Sequence, residues 1–479
     1  MSASPPSNER LRPKIRTVFS VGLRRRGQSR HSAADDARPR FRHPAQVIVL
    51  AFAGAVLVGT ALLLLPVSRT GPGSASVVEA LFTATSAVCV TGLIVVDTPV
   101  YWSGFGQAVI LILIQVGGFG IMTLASMVAL LISRRLGLRS RLIAAAETKH
   151  IGLGDLRQVV IGVAKVTLLF EATTALALTA RFLLGYDEPV GRAAYLGLFH
   201  AVSAFNNAGF ALFSDNLIGF AGDPWICLPI AGGVIAGGLG FPVWFEIRRH
   251  LRQRSEWSMH TRITGYMTVL LLVSGTVYIT AAEWSNPGTL GALSAPDRLL
   301  AGFFASVQNR TAGFNSIDIS QLHPGTLLGS DVMMFIGGGS ASTAGGIKVT
   351  TFALLLFAIY AEVRGEPQIA AFDRRVDNRV LRQALSVALL AVAAVVCAAV
   401  ILIHLSPFSL DAVLFEVISA FATVGLSTGI TAQLPVPGQL LLVALMFLGR
   451  LGPVTLVSAL ALRGRQRLYQ VPEGRPMIG

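Results

Sequence analysis

The sequence predicts an all-α polytopic membrane protein in which a helix, re-entrant turn, helix unit is used four times, and three observations carry that expectation. The first is composition. With 53% hydrophobic residues, 13% charged residues, a mean hydropathy of +0.64 and 49 glycines in 479 residues, no soluble reading fits well. Glycine is expected at this frequency where membrane helices pack closely and where backbone approaches a ligand. The second is a repeat. A phenylalanine is followed ten positions later by a glycine with a bulky apolar neighbour at Phe82/Gly92, Phe199/Gly209, Phe303/Gly313 and Phe415/Gly425. The spacing of roughly 110 residues is far longer than a solenoid unit. The third is charge placement. Arginines cluster at Arg10 to Arg42, Arg134 to Arg141, Arg248 to Arg254, Arg364 to Arg382 and Arg463 to Arg467. The segments between, which bear the repeats, carry Asp97, Asp187, Glu188, Asp215, Glu283, Asp297, Asp318 and Asp331 instead.

Because spans of ~20 apolar residues are needed to cross the hydrocarbon layer, the chain divides into eight, at approximately 46–67, 106–133, 158–184, 224–247, 263–283, 328–361, 382–405 and 437–462. The positive-inside rule then places both termini in the cytoplasm and the four short helices with their glycine turns on the outer side. Residues 1–44 form a basic tail rich in Arg, Ser and Pro and too poor in apolar residues to fold alone, so a disordered cytoplasmic segment is expected. Its arginines read as a topology determinant or a contact with anionic membrane lipid, not a nucleic-acid site. A cleavable signal is not expected, because the first apolar run is long and lies behind this tail. Four repeats follow: 45–140 around Gly92, 141–255 around Gly209, 256–365 around Gly313, and 366–479 around Gly425.

The chemistry of the turns follows from the solvent. Open backbone at membrane depth is tolerated only where it is buried in protein or lines a water-filled cavity. Glycine lets successive carbonyls aim inward, and carbonyl oxygens can replace the hydration shell of an alkali cation. The short helices would also direct their partly negative C-terminal ends at the site, favouring a cation over an anion. One such segment alone would be a tight interhelical turn; four in one register suggest a pore. Thr91, Asn206, Asn207, Thr311 and Thr423 stand beside the glycines and are expected to brace the turns by hydrogen bonding.

Enzymatic readings find no support in the sequence. Cys89, Cys227 and Cys397 have no metal-ligand spacing. His200 and His404 read as packing or interfacial residues, and no nucleophile, base and orienter set appears. The stretch MMFIGGGSASTAGGIKVTTF has the look of a phosphate loop but lacks the G-K-[ST] ending, since Gly346 is followed by Ile347 and Lys348. Glycine costs about 1 kcal/mol per helical position, so Gly337, Gly338, Gly339, Gly345 and Gly346 argue for a break in the sixth span. Arg450, inside the last span, is a charge that needs water or a partner there and is a functional candidate by default.

The segments ATSAVCVTGLIVVDT, SAFNNAGFALFSDNL, RTAGFNS and ATVGLSTG resemble, in order, the four pore loops of the Trk/Ktr/HKT superfamily of potassium transporters, and eight spans suit its bacterial Ktr-type branch. QVGGFGIMT (115–123) and GGLGFPVW (237–244) resemble the starts of that family's pore-lining helices. The resemblance covers about residues 44 to 465 and implies four helix, pore helix, filter, helix repeats around one path. It implies a selectivity filter of Thr91, Gly92, Asn207, Ala208, Gly209, Thr311, Ala312, Gly313, Thr423, Val424 and Gly425, with potassium held by carbonyls at Gly92, Gly209, Gly313 and Gly425. In the superfamily a serine at the first filter glycine accompanies sodium permeation; Gly92 implies potassium preference. A gate is implied at the intramembrane loop 337–348, with Gly337, Gly338, Gly339, Ser340, Ser342, Thr343, Gly345 and Gly346, together with Arg450 facing the pore. Arg450 could instead form a salt bridge to Glu171 or Glu416, and Arg310 is expected to brace the filter from behind. Also implied are residence in the bacterial plasma membrane, a homodimer, a cytoplasmic RCK-type nucleotide-binding regulatory subunit, and no covalent cofactor. Whether sodium is a coupling or an activating ion stays open, and a secondary carrier of an organic or anionic solute is the alternative reading.

Overall fold

The computed structural model describes residues 44–135, 156–372 and 374–452. The tail 1–43, most of the Arg134 to Arg141 cluster, the Arg463 to Arg467 cluster and the end of the eighth expected span lie outside the described residues. Four times the chain passes through a long helix, a short helix, a glycine turn and a second helix. The first unit is α1 (Pro44–Leu63), α2 (Val77–Val88) and α3 (Gly104–Arg135). The second is α4 (Leu156–Gly185), α5 (Val190–Phe205), α6 (Pro224–Leu239) and α7 (Phe241–Arg249). The third is α8 (Met259–Glu283), α9 (Ala295–Gln308), α10 (Pro324–Phe335) and α11 (Val349–Val363), and the fourth is α12 (Asn378–Leu405), α13 (Leu410–Ala422) and α14 (Val436–Leu451). A small antiparallel pair, Ala370–Ala371 against Arg374–Arg375, lies between α11 and α12.

Length and side-chain exposure separate the helices into two kinds. Stretches of α1, α4, α8 and α12 are long and apolar enough to cross a membrane. They present large apolar side chains outward, among them Leu57, Leu176, Val269 and Leu389, each more than 60% exposed, as expected of helices that face lipid. The short helices α2, α5, α9 and α13 have 12, 16, 14 and 13 residues. At 1.5 Å per residue they span only about 18–24 Å and cannot cross. Their C-terminal halves are buried, as Phe415 to Ala422 are throughout α13. Each begins at a polar or proline-containing start. In α2, Ser76 and Glu79 form a reciprocal capping box, with the Ser76 backbone N–H donating to Glu79 Oε2 at 2.8 Å and the Tyr101 hydroxyl donating to the same oxygen at 2.8 Å.

The four units close on one another cyclically. Each short helix packs on its own unit's long helix and also on the second helix of the preceding unit: α5 on α3, α9 on α6, α13 on α10, and α2 on α14. The last contact joins the end of the described chain to its beginning. Glycine permits the closest of these approaches. A methyl group built on Gly117, Gly237 or Gly449 would fall on the backbone carbonyl oxygen of Val88, Phe205 or Phe421, each four residues before a turn glycine. The second helices thus touch the ends of the short helices backbone to backbone, the small-residue packing that membrane helices favour.

Two of the second helices are broken. The sixth expected span breaks at 336–348, as its glycines require. The fourth, expected as one span over 224–247, also breaks: Gly240 has φ +87°, and α6 and α7 meet at 95°. The segment 237–244 therefore spans the break and contains the start of α7 at Phe241, whereas 115–123 lies in the interior of α3 and not at a helix start. Overpacking at a backbone-to-backbone contact costs ~1–3 kcal/mol. Gly117→Val should lower the thermal unfolding midpoint of the detergent-purified protein by several degrees, while Gly120→Val on the same helix, where a methyl group meets nothing within 4 Å, should leave it near wild type. Equal midpoints for the two variants would show that the close contact does not hold the units together.

Candidate functional site: a ring of glycine turns and the loop packed against it

Each short helix ends in the same unusual backbone. Gly92, Gly209, Gly313 and Gly425 have φ of +92°, +69°, +80° and +96°, and the residue two before each is also left-handed: Val90 at +55°, Asn207 at +57°, Thr311 at +67° and Thr423 at +51°. A left-handed residue that is not glycine costs ~1–2 kcal/mol, and three of these four are β-branched. Such strain persists only where the surrounding structure holds it in place. The residue between, Thr91, Ala208, Ala312 or Val424, is fully buried in every case.

The four turns form a closed ring. A methyl group on Gly92 would fall on the Ala208 carbonyl oxygen, one on Gly209 against that of Ala312 at 2.7 Å, one on Gly313 on that of Val424, and one on Gly425 on that of Thr91. Every expected filter residue is thus brought to one place. Val90 belongs with them by geometry, though the sequence reading began the first turn at Thr91; aligning the four segments on their glycines would have included it.

What braces the turns differs from expectation. The hydroxyls of Thr91, Thr311 and Thr423 are buried without a hydrogen-bond partner. Asn207 Oδ1 accepts from the Thr343 hydroxyl at 3.0 Å, and Asn206 Nδ2 donates to Gln115 Oε1 and Glu171 Oε1 at 2.8 and 3.1 Å. Bracing comes instead from serines within the short helices. Ser86 Oγ donates to the Leu93 carbonyl at 2.7 Å and accepts from the Gly92 N–H at 3.0 Å. Ser203 Oγ donates to the Phe210 carbonyl at 2.8 Å, and Ser419 Oγ accepts from the Gly425 N–H at 3.1 Å. The serine carbonyls complete the turns by accepting from Thr91, Ala208 and Val424, each at 2.8 Å. These serines recur four residues after Phe82, Phe199 and Phe415, a signal present in the sequence but overlooked.

The third repeat is one residue out of register. Phe303 is only partly buried, whereas Phe304 is fully buried and takes the station of Phe82, Phe199 and Phe415. Four residues on stands Gln308, whose carbonyl accepts from Ala312 N–H at 3.1 Å and whose Oε1 accepts from Phe314 N–H at 3.2 Å. The spacing of ten read from Phe303 therefore conceals a spacing of nine from the aromatic residue that packs.

The 336–348 loop lies against this ring. Gly337 N–H donates to Ile347 O at 2.8 Å and Val349 N–H to Gly338 O at 3.0 Å, pinching the loop at its base. Gly339 N–H donates to Gly238 O at 2.8 Å, Thr343 N–H to Gly237 O at 3.2 Å, and Ala341 O accepts from Phe241 N–H at 3.4 Å. The loop thus serves both helix ends exposed by the break at Gly240, whose backbone groups would otherwise be unsatisfied. The Thr343 hydroxyl also donates to the Phe205 carbonyl at 3.2 Å, and a methyl group on Gly345 would fall on Thr423 Oγ1. Ser342 Oγ bonds the Gly339 carbonyl at 2.6 Å, Ser340 Oγ lies 2.9 Å from Thr350 Oγ1, and Gly346 has φ +62°.

Arg450 is 5% exposed and ties the loop to the first unit, donating through Nη1 to the Thr343 carbonyl and through Nη2 to the Gly117 carbonyl at 3.0 Å. It makes no salt bridge to Glu171 or Glu416. Glu171 accepts from Gln115 and Asn206, and Glu416 is enclosed by Ser427, Thr428 and Thr431, with bonds of 2.5 to 3.3 Å. Arg310 does not brace the turn directly either; it donates to the carbonyls of Thr268 at 3.2 Å and Gly337 at 3.4 Å, anchoring the base of the loop. Both arginines therefore donate to backbone carbonyls, while the Nε of each is buried without a partner.

The sequence matches the family of TrkH cation transport proteins over residues 16–465. It is 39% identical over 442 residues to the Ktr system potassium uptake protein B of Bacillus subtilis (strain 168), covering 91% of this chain and 97% of that protein. To the protein of the same name from Vibrio alginolyticus it is 40% identical over 435 residues, covering 91% and 94%. To the potassium/sodium uptake protein NtpJ of Enterococcus hirae it is 33% identical over 442 residues, covering 91% and 97%. The fold is similar to the crystal structure of the potassium transporter TrkH from Vibrio parahaemolyticus, with a TM-score of 0.68 over 90% of this chain and 87% of that one at 17% identity. The four-unit ring, the family match and relatives 33–40% identical over nearly their whole lengths together make this chain a member of the TrkH family of cation transport proteins.

Proposed function

We propose that this protein takes up potassium across the bacterial plasma membrane, with the ring of four glycine turns as its selectivity filter. The observation that carries the reading is the ring itself: four strained turns meet so that each glycine abuts the carbonyl of the next unit. Carbonyls held in such a ring can replace the hydration shell of a potassium ion, and serine and glutamine bonds behind them set their aim. The ends of four short helices add partial negative charge. The membrane potential, worth ~2.3 kcal/mol per charge per 100 mV, drives the ion inward. The names of the Bacillus and Vibrio relatives support potassium, and the Enterococcus relative's name supports a part for sodium as coupling or activating ion. Residues 45–140, 141–255, 256–365 and 366–479 are then the four repeats.

The 337–348 loop and Arg450 are the gate in this reading. The loop is held by hydrogen bonds to the filter side chain Asn207, to the broken helix α6 and to Arg450, so its release requires those bonds to be exchanged. A cytoplasmic RCK-type nucleotide-binding subunit acting on a homodimer supplies the work; the "system" in two relatives' names accords with such a partner. Both termini and the basic tail are cytoplasmic by the positive-inside rule.

Potassium-limited growth and radioactive rubidium uptake in a bacterium lacking its own potassium importers test the function, with a matching regulatory subunit supplied. Rescue is expected. Absence of rescue with the protein confirmed at the surface would favour a carrier of an organic or anionic solute. In the same cells Gly92→Ser, whose side chain must displace the Ala208 carbonyl, should reduce preference for potassium over sodium by about tenfold. Undiminished preference would remove the first turn from the filter. Thr343→Val, which keeps shape but loses the single hydroxyl donor shared between Asn207 and Phe205, should raise uptake measured without the regulatory subunit by about fivefold, as expected for one lost hydrogen-bond donor. Unchanged uptake would show that those bonds do not hold the gate shut.

A further inference from the structure

The third turn of the ring is built differently from the other three, and the difference leaves a buried amide donor behind it. In the first, second and fourth turns the bracing station is a serine, whose hydroxyl can donate and accept at one point. In the third it is Gln308, and the turn is one residue shorter. Glutamine separates the two capacities. Its Oε1 takes the Phe314 N–H at 3.2 Å, while Nε2, which can only donate, is buried and has no partner. Gln308 is 1% exposed, so bulk water does not reach it.

A small cavity adjoins this amide, lined by Gln308, Asn309, Phe314, Ser316, Thr326 and Ser330 among others. Ser316 is 2% exposed, and its Oγ is also buried without a partner. Asn309 Nδ2 is already engaged with Ser330 Oγ at 3.1 Å and does not complete either group. A donor and a hydroxyl, both orphaned, line one otherwise largely apolar space with room for about one water molecule. Buried polar groups that lack protein partners are commonly satisfied in this way.

We propose that an ordered water molecule sits behind the third turn, accepting from Gln308 Nε2 and bonded to Ser316 Oγ, and that Gln308 and Ser316 are positioning residues for ion selectivity. Phe314 and Ser316 belong to the irregular segment that leaves Gly313, so the water ties that segment to the end of α9 where serines do so elsewhere. Because a water can redirect its hydrogen bonds, the third turn is the compliant member of the ring. It is also the turn whose neighbour Arg310 reaches the loop at Gly337.

The selectivity part of this inference rests on the potassium-filter reading; the water site does not. The test is a high-resolution cryo-electron microscopy map of the full chain in lipid nanodiscs, paired with rubidium and sodium uptake into proteoliposomes. Density for one water within hydrogen-bond distance of Gln308 Nε2 and Ser316 Oγ is expected. Ser316→Ala and Gln308→Met should each reduce potassium-over-sodium preference by about fivefold, and Ser316→Thr should keep it near wild type. Ser316→Ala leaves the Gln308–Phe314 bond intact, so it decides the matter even where Gln308→Met fails to fold. No density at that point, or unchanged preference in Ser316→Ala, would overturn the proposal. A wild-type protein with no preference for potassium would sink the filter reading instead, and the map would still decide the water site.

Discussion

Backbone polar groups that leave a helix within a membrane must find partners in protein, in trapped water or in a passing ion. This requirement organises the molecule. Four short helices end inside it, two further helices break, and the chain must satisfy the carbonyls and amides so released. Serines and Gln308 take groups of the turns, the 336–348 loop takes those at the Gly240 break, and Arg450 and Arg310 donate to carbonyls of the loop and of α3 and α8.

The satisfied groups also explain why the parts are coupled. Thr343 alone meets the end of α5 through Phe205, the second turn through Asn207, the α6 break through Gly237 and the last helix through Arg450. Moving the loop therefore exchanges bonds at all four places at once. A rigid plug held by apolar packing alone would have no such dependence. The partners of Arg450 are the neutral carbonyls of Thr343 and Gly117, while Glu171 and Glu416 are occupied by amides and hydroxyls.

Much of this was legible in the sequence because apolar runs, basic clusters and turn glycines are local signals. The four short helices with their glycine turns, the break in the sixth span and the placing of Arg450 inside the last helix each followed from one stretch of chain. Partners across the fold were not legible. That Gly117 touches Val88, or that Arg450 reaches a carbonyl instead of Glu171 or Glu416, depends on cyclic packing of the units, which no segment encodes alone. Gly240 looked ordinary in an apolar run, and its break was missed because the 95° bend is stabilised by a loop about a hundred residues later. The register of the third repeat failed for a different reason. Phe303 and Phe304 are adjacent and chemically alike, so only burial shows which of them packs.

The central claim is that selectivity belongs to the closed ring and not to any one turn. In each turn a methyl group would strike the carbonyl of the next unit, so the four glycines are equivalent in kind though their sequences are not. The most direct measurement is competitive potassium and sodium flux into proteoliposomes for the wild type and for Gly92→Ala, Gly209→Ala, Gly313→Ala and Gly425→Ala, with folding of each verified. The account predicts that all four substitutions lower the preference for potassium. A folded variant that keeps the wild-type preference, at any one of the four positions, would contradict it.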